Sequence, residues 1–539
     1  MAQTSSAAAL AAQAKLVVAL QEGSRYPHPA GAVVHIETHI SHVLLAGEYA
    51  YKIKKPVDLG FLDFTTLAAR RFYCEEELRL NRRLAPKLYL EMVAIGGSCA
   101  APVLGAAVGV IEYAVKMRRF PQEALFDRLA ARSELECRHV DDLAGVIAAF
   151  HGAAARTAAA DSYGSAAAVA QPMRQNFSQI KPLLANASER GMLAAIENWS
   201  LRRHADLVPM FEMRRAQGFV RECHGDLHLG NVAWVDDAAL PFDCIEFNAE
   251  LSWIDVMSEV AFLVMDLSMR GRDDLANRFL DGYLERSGDY AGLALLDDYL
   301  VYRAMVRAKI AAIRAAQPEA GEAGRRLAQT DCAAHLALAL RFTEPRRQAL
   351  VIMHGLSGSG KSWVSQRLVV ESGMMRLRSD VERKRLQGLA AKAKSGSGVF
   401  AGLYREEATR ATYAELARLA RLVLAAGWPL VIDAAFLQRW QREIFRALAA
   451  ELALPLLIVS CRADTALLRE RVRQRGAIGR DASEADQTVL EQQMTSAEPL
   501  ESEGQVLCLD TAEAACGDAP ALVLAALQSE RPTGTSFGA

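Results

Sequence analysis

Short apolar runs separated by polar or glycine positions open the chain. Ala32-Val33-Val34, His42-Val43-Leu44-Leu45 and Tyr49 to Ile53 read as β-strands, and from Leu67 to Leu84 leucines and charges recur every three or four residues, which predicts a helix. A further strand is predicted over Gly109–Met117. From about Ala124 to Arg215, Ala, Leu and Arg dominate at helical spacing, so a mostly helical lobe follows the sheet lobe. The Ala-rich stretch Met1–Leu20 predicts an exposed helix. Between 316 and 347 the text Gln317-Pro318-Glu319-Ala320-Gly321, a polar helix and Glu344-Pro345 have linker character, placing a boundary near 345. Beyond it, apolar strands near 349–354, 429–433, 455–461 and 505–509 alternate with helices, the pattern of a parallel α/β sheet. The expected division is an N-terminal helix (1–29), a first domain (30–315), a linker with a helix (316–346), a second domain (347–530) and a tail (531–539).

With 539 residues, 51% hydrophobic and 23% charged, the chain can bury ordinary cores, and its length fits two or three domains. The 62 basic and 64 acidic residues give a net charge of −2, so no global basic field is available to grip nucleic acid. Nine cysteines are scattered without C-x-x-C or Cys/His spacing, which favours reduced core thiols over disulfides or a zinc site. With neither a basic start to Met1–Leu20 nor an apolar run of membrane-spanning length, no signal peptide or membrane partner is expected, and the cytoplasm is the expected location.

The strand Ala349–Met353 runs into Gly355-Leu356-Ser357-Gly358-Ser359-Gly360-Lys361-Ser362, a complete G-x-x-x-x-G-K-[ST] ahead of a helix. Gly355, Gly358 and Gly360 let backbone N–H groups turn toward phosphate oxygens, Lys361 reaches the β/γ-phosphates, and the Ser362 hydroxyl is a ligand for Mg²⁺. Met374–Leu377 leads to Asp380 and, three residues on, Arg383. This suits an acceptor base and a substrate-binding guanidinium, although Asp380 is also a plausible helix cap. Asp433 ends the apolar strand Pro429–Asp433, the form of a carboxylate holding Mg²⁺. Arg469, Arg471, Arg473, Arg475 and Arg480 surround Gly476 and Gly479 and read as a basic lid or a solvated helix face. Arg475 and Arg480 are the nucleotide-binding candidates. Residues 349–528 resemble the P-loop kinases grouped with gluconate kinase, polynucleotide kinase and zeta-type toxins; Ala435 stands where one branch of that group usually has Thr.

In the first domain, His224-Gly225-Asp226-Leu227-His228-Leu229-Gly230-Asn231 places Asn five residues after Asp, and Asp243 follows seventeen after Asp226. In phosphotransfer chemistry such a loop Asp orients the acceptor hydroxyl, the Asn binds metal and the later strand-end Asp binds bridging Mg²⁺. Those roles fall to Asp226, Asn231 and Asp243, with His224 fixing the loop. This constellation resembles the aminoglycoside phosphotransferase family, with Gly225 where protein kinases have Arg; the resemblance spans roughly 30–310. It implies a two-lobed protein-kinase-like fold, a strand lysine on the α/β-phosphates and a helix glutamate paired with it. Lys52 is chosen over Lys54, and Glu76 over Glu75 and Glu77; alternation places both lysines on one strand face, and only one of three successive glutamates can face the site. Asp255 in Ser252-Trp253-Ile254-Asp255 resembles the family's later acid and is expected to be structural.

The order of the two domains resembles the bifunctional aminoglycoside phosphotransferase/ATP-binding protein family. The expected fold is α/β and α+β: a protein-kinase-like domain, then a P-loop parallel sheet flanked by helices. The resemblance and the two carboxylate bases imply an ATP- and Mg²⁺-dependent kinase with two sites, each phosphorylating a small-molecule hydroxyl. Alternatives are a regulatory ATP-binding protein and a polynucleotide 5′-hydroxyl kinase in the second domain, where a nucleic-acid partner is disfavoured but open. Gly388–Gly402 is the expected acceptor loop there.

Overall fold

A computed structural model describes residues 2–60, 62–158, 160–318, 321–389, 405–478, 485–500, 503–512 and 518–529. Gly388–Gly402 falls almost entirely, and Arg480 wholly, outside the described residues. The chain divides into two compact units, one formed by Met1–Asp266 with Tyr302–His335 and the other by Leu267–Val301 with Leu336–Ala539.

The first unit opens with an antiparallel sheet of β1 (Val34–Glu37), β2 (Ser41–Ala46), β3 (Tyr49–Lys54), β4 (Tyr89–Ser98), β5 (Ala101–Leu104) and β6 (Glu112–Arg118), in the order β1-β2-β3-β6-β4-β5. The hairpin β4–β5 was not expected from the sequence, because its polar and glycine positions interrupt the alternation. Leu44, Ala46, Tyr51, Ile53, Ile95 and Ala114 form the buried face. The first helix, Ala2–Ala19, is not the exposed element expected. Its Leu16 and Val17, with Leu20 beyond its end, join that core, and Gln13 Nε2 donates to Lys54 O at 2.8 Å and to Glu112 at 2.9 Å. The Ala-rich pattern hid an apolar edge confined to the last turn. Helix Leu67–Asn81 starts where the Thr66 side chain accepts from Ala69 N.

After four helices between Phe126 and Ala216 come two short antiparallel pairs, β7 (Val220–Glu222) with β10 (Trp253–Asp255) and β8 (Val232–Val235) with β9 (Ala238–Pro241). The second unit is built on parallel strands β11 (Leu350–His354), β12 (Met375–Arg378), β13 (Leu430–Asp433), β14 (Leu456–Arg462) and β15 (Val506–Asp510), ordered β12-β13-β11-β14-β15. Helices flank this sheet, and Val351, Met353, Val431, Val459 and Leu368 lie in its core. Helix Asp273–Ser287, placed by sequence in the first domain, belongs to this second unit. Of the described cysteines, Cys74, Cys223, Cys244, Cys332 and Cys461 are buried thiols, whereas Cys137 and Cys508 are exposed. Among the described residues no helix is long and apolar enough to cross a membrane.

Candidate active sites

Lys52 lies in the middle of β3, opposite Val43 of β2 and Val115 of β6. Its ammonium stands 2.9 Å from Glu77 Oε1 and 2.5 Å from Asp243 Oδ1. The other Glu77 oxygen binds Lys54 Nζ at 2.6 Å, and Lys54 also pairs with Glu246. The helix glutamate that meets the strand lysine is therefore Glu77 and not Glu76. Glu76 pairs with Arg79 and Glu75 with Arg71 at the surface. Successive helical residues differ by about 100°, and Glu77 shares its face with buried Arg70, Cys74, Leu78 and Asn81. No local spacing singles out Glu77; the buried face of the helix does.

Charge is concentrated here out of water. Burial drives the Lys52 ammonium toward the neutral form, but Asp243 and Glu77 outweigh it and raise its pKa well above the usual lysine value. Burial likewise pushes the Glu77 carboxyl up, while Lys52 and Lys54 together bring it down to about 2.

Asp226 and Asn231 are brought together by the loop between β7 and β8: Asn231 Nδ2 donates to Asp226 O at 2.9 Å and to Oδ2 at 3.3 Å. Register then brings in Asp243. Val232 faces Pro241 across the β8–β9 hairpin, and Phe242 N donates to Asn231 O at 3.0 Å, so Asp243 emerges beside the loop. Asp243 has φ 66°, a left-handed conformation, and its N–H donates to Tyr89 OH at 3.1 Å.

His224 donates through Nε2 to Phe242 O at 2.7 Å and accepts from Asp226 N at 3.3 Å. Gly225 has φ 89°, and a Cβ there would lie 2.7 Å from Leu251 O, so glycine is required. Four groups beyond the sequence reading hold or polarise this loop. Glu259 accepts from Gly225 N at 2.8 Å, Asp266 accepts from Leu229 N at 2.9 Å, and Arg303 donates to Gly225 O at 3.3 Å. His228 Nε2 lies 3.5 Å from Asp226 Oδ2. Burial raises the Asp226 carboxyl, but its hydrogen bond and attraction to His228 prevail and hold it well below the usual carboxylate range. The Asp255 side chain forms a two-point pair with Arg214 at 2.7 and 2.8 Å and accepts from Met257 N at 2.8 Å.

In the second unit, the turn from β11 into helix Lys361–Ser372 has positive φ at Gly355, Gly358 and Gly360. A Cβ on Gly355 would sit 2.5 Å from Cys461 O, and one on Gly358 2.9 Å from Leu468 O. Lys361 Nζ donates to the carbonyls of Gly355 and Leu356, both at 2.8 Å. Burial pulls the pKa of Lys361 below the usual lysine value, against the attraction of Asp433. A cavity of about 780 Å³ is lined by Gly358, Gly360, Lys361, Ser362, Asp433 and the pair Asp380 and Arg383. Asp380 and Arg383 lie 3.5 Å apart on helix Ser379–Leu386. Gly355 is not in that lining but packs behind the loop, its N–H donating to Ala435 O at 3.1 Å.

The arginine run divides. Arg475 lines the cavity and donates to Ala485 O, and Arg471 lines it while bonding Gly358 O and Thr511. Arg469 and Arg473 pair with Glu491 and Glu470 at the surface. Sequence reasoning also missed Arg378, which faces Asp433 in register across β12 and β13.

A model of the phosphotransferase enzyme family matches residues 70–296, and an AAA domain model matches residues 350–500. The uncharacterized protein Rv2004c of Mycobacterium tuberculosis (strain H37Rv) is 31% identical over 451 residues, covering 83% of this chain and 87% of that protein. Among solved structures, a gluconokinase from Sinorhizobium meliloti 1021 matches 34% of this chain and 94% of its own at 21% identity and a TM-score of 0.26. A choline/ethanolamine kinase family protein from Mesorhizobium loti matches 62% of this chain and 99% of its own at 12% identity and a TM-score of 0.38. The chain is a kinase-type enzyme, and it belongs with the mycobacterial protein to the family in which a phosphotransferase domain is followed by a P-loop kinase-like domain.

Proposed function

We propose that each unit transfers the γ-phosphoryl group of ATP to a hydroxyl of a small molecule, with Mg²⁺, in the cytoplasm. The observation that carries this reading is one cavity in the second unit that is lined together by the phosphate lysine Lys361, the oxygen donors Ser362 and Asp433, and the carboxylate Asp380. A nucleotide-binding module needs the first three but no acceptor base; the fourth, facing the same cavity, suits an acceptor that must lose a proton.

The residues fit both groups. Gly355 and Gly358 hold a tight turn in which a Cβ would meet the backbone carbonyls of Cys461 and Leu468, so the chain can bring backbone N–H groups to phosphate at the start of helix Lys361–Ser372. Ser362 with Asp433, and Asn231 with Asp243, offer the oxygen donors that Mg²⁺ takes. Bound there, Mg²⁺ neutralises charge on the phosphate oxygens.

In the first unit Lys52, held between Glu77 and Asp243, presents its charge to the α/β-phosphates. Asp226, kept ionised beside His228, accepts the proton of the attacking hydroxyl as its oxygen bonds to phosphorus and the bond to ADP breaks. In the second unit Asp380 takes the same role and Arg383 orients the acceptor. Arg475, on helix Thr465–Ile478, approaches the transferring phosphate from that helix's side of the cavity.

The test is ATP-dependent phosphorylation of a fractionated metabolite extract by the intact protein and by Asp226→Ala and Asp380→Ala variants. Loss of a different product in each establishes two kinases and identifies the fractions that hold their acceptors. Unchanged products in both, with ATP still bound, defeat the reading in favour of a regulatory nucleotide-binding protein.

A further inference from the structure

The β1–β2 hairpin holds a cluster that phosphotransfer does not use. Glu37 of β1 stands directly opposite His42 of β2, and His35, two residues before Glu37, shares its strand face and lies diagonal to His42. His35 Nε2 and His42 Nδ1 are 3.0 Å apart, and one donor atom from each of the three residues lies within 4.8 Å of the other two. We propose that His35, Glu37 and His42 form a site for a divalent transition metal of the Zn²⁺ class, separate from the Mg²⁺ donors of either phosphotransfer site.

Two imidazoles and one carboxylate are a set that Zn²⁺ takes when its fourth position is left to water. Tetrahedral ligation with Zn–N near 2.0–2.1 Å separates two ligand nitrogens by about 3.3 Å. The rings therefore need to part by only a few tenths of an ångström from their present contact. Each neutral ring presents a lone pair at the facing nitrogen and keeps its proton on the other one, so His35 retains Nδ1–H and His42 retains Nε2–H.

Access and support are both present. His42 is buried, while the Glu37 side chain is 58% exposed, so the carboxylate side admits ion and water. Lys55 Nζ binds Glu37 Oε1 and Thr38 O, each at 2.6 Å, fixing the carboxylate. The ammonium opposes a cation, and its repulsion favours a metal that gains strongly from imidazole over Mg²⁺ or Ca²⁺, which prefer all-oxygen shells. The consequence is mechanical. β1 is an edge strand joined to the sheet through β2, so a bound metal clips it to the strand that pairs with the Lys52-bearing β3.

The full-length protein, stripped with chelator and held in saturating Mg²⁺, is titrated with Zn²⁺ by calorimetry beside His35→Gln and Glu37→Gln variants. The expected result is one Zn²⁺ per chain, with affinity weakened roughly tenfold or more in each variant. No uptake by the parent, or an affinity within about threefold of the parent in either variant, overturns the site. X-ray absorption at the zinc edge of the parent needs no variant to fold. Two imidazoles in the shell support the assignment, and an oxygen-only shell overturns it.

Discussion

Glu259 accepts the backbone hydrogen of Gly225 at 2.8 Å, while its second oxygen meets His151 Nε2 at 2.9 Å. One buried carboxylate, on helix Val256–Met269, thus anchors the loop that carries Asp226 to a histidine on a different helix. Burial opposes its ionisation, yet the His151 hydrogen bond and charge hold its carboxyl below the usual value. Glu259→Ala leaves the Gly225 N–H and His151 unmatched, at a cost of about 3 kcal/mol. Glu259→Gln keeps an acceptor for Gly225 and costs less. Urea midpoints and the first-unit transfer rate measure this; an alanine variant as stable and active as the parent removes Glu259 from the loop's support.

The Glu77 geometry separates neighbouring acids. Glu77→Gln withdraws the charge between Lys52 and Lys54 and lets the lysine drift, with an expected loss of first-unit transfer of up to about 100-fold. Glu76→Gln touches only the surface Arg79 pair and leaves the rate near that of the parent. Steady-state rates of the two variants decide, and the reverse order refutes the pairing.

Two buried acids on Lys54 are expected to respond oppositely to pH. The Glu77 carboxyl is held down to about 2 from the ordinary glutamate value of 4.5, so its contribution to stability is fully present above 4.5 and is lost as pH falls toward 2. Glu246 is raised, because burial outweighs its attraction to Lys54 and Glu77 repels it. Ionised Glu246 therefore detracts from stability at neutral pH, and the deficit is relieved as acid protonates it. Glu246→Gln should be at least as stable as the parent at pH 7, whereas Glu77→Gln should be less stable there and should flatten the loss below pH 4.5. Thermal melting from pH 7 to pH 3 tests both signs, and a clearly lower melting temperature for Glu246→Gln at neutral pH contradicts the assignment.

The part of each site written contiguously in the chain was legible from the sequence. Gly355–Ser362 and Asp226–Asn231 carry their own spacing, so strand, loop and helix could be placed around them. Partners set by packing were harder to read. Glu77 differs from Glu76 by one helical step that only the buried face of Leu67–Asn81 resolves. Glu259, Asp266 and Arg303 reach their loop partners from 34, 37 and 78 residues downstream, and no local pattern marks them. The N-terminal helix hid its buried edge because alanine is compatible with either environment.

Gly355 has φ 140°, and an added Cβ meets Cys461 O at 2.5 Å and Ser359 Oγ at 2.7 Å. Backbone carbonyl cannot yield as a long side chain can, so Gly355→Ala must distort the turn, at roughly 1–3 kcal/mol. The second-unit product should disappear while the first-unit product persists. A variant with intact second-unit turnover would show that the turn tolerates the displacement and is not the phosphate cradle.

Arg378 lies between two acids, 3.4 Å from Glu285 Oε1 and 3.6 Å from Asp433 Oδ2. Its neighbour on β12, Arg376, binds Asp281 at 2.7 Å, so helix Asp273–Ser287 supplies both counter-charges within the second unit. Glu285 thus shares Arg378 with Asp433, and on the proposed reading that sharing leaves the Asp433 carboxylate to Mg²⁺. Removing the charge in Glu285→Gln lets the guanidinium settle on Asp433, where it competes with Mg²⁺. The half-saturating Mg²⁺ concentration for the second-unit product should rise by about tenfold, with the first-unit Mg²⁺ dependence unchanged. Mere loosening of the helix would lower the second-unit rate at every Mg²⁺ concentration alike. A rate restored by raised Mg²⁺ is therefore the signature of Glu285 acting through Arg378, and a uniform loss rejects it.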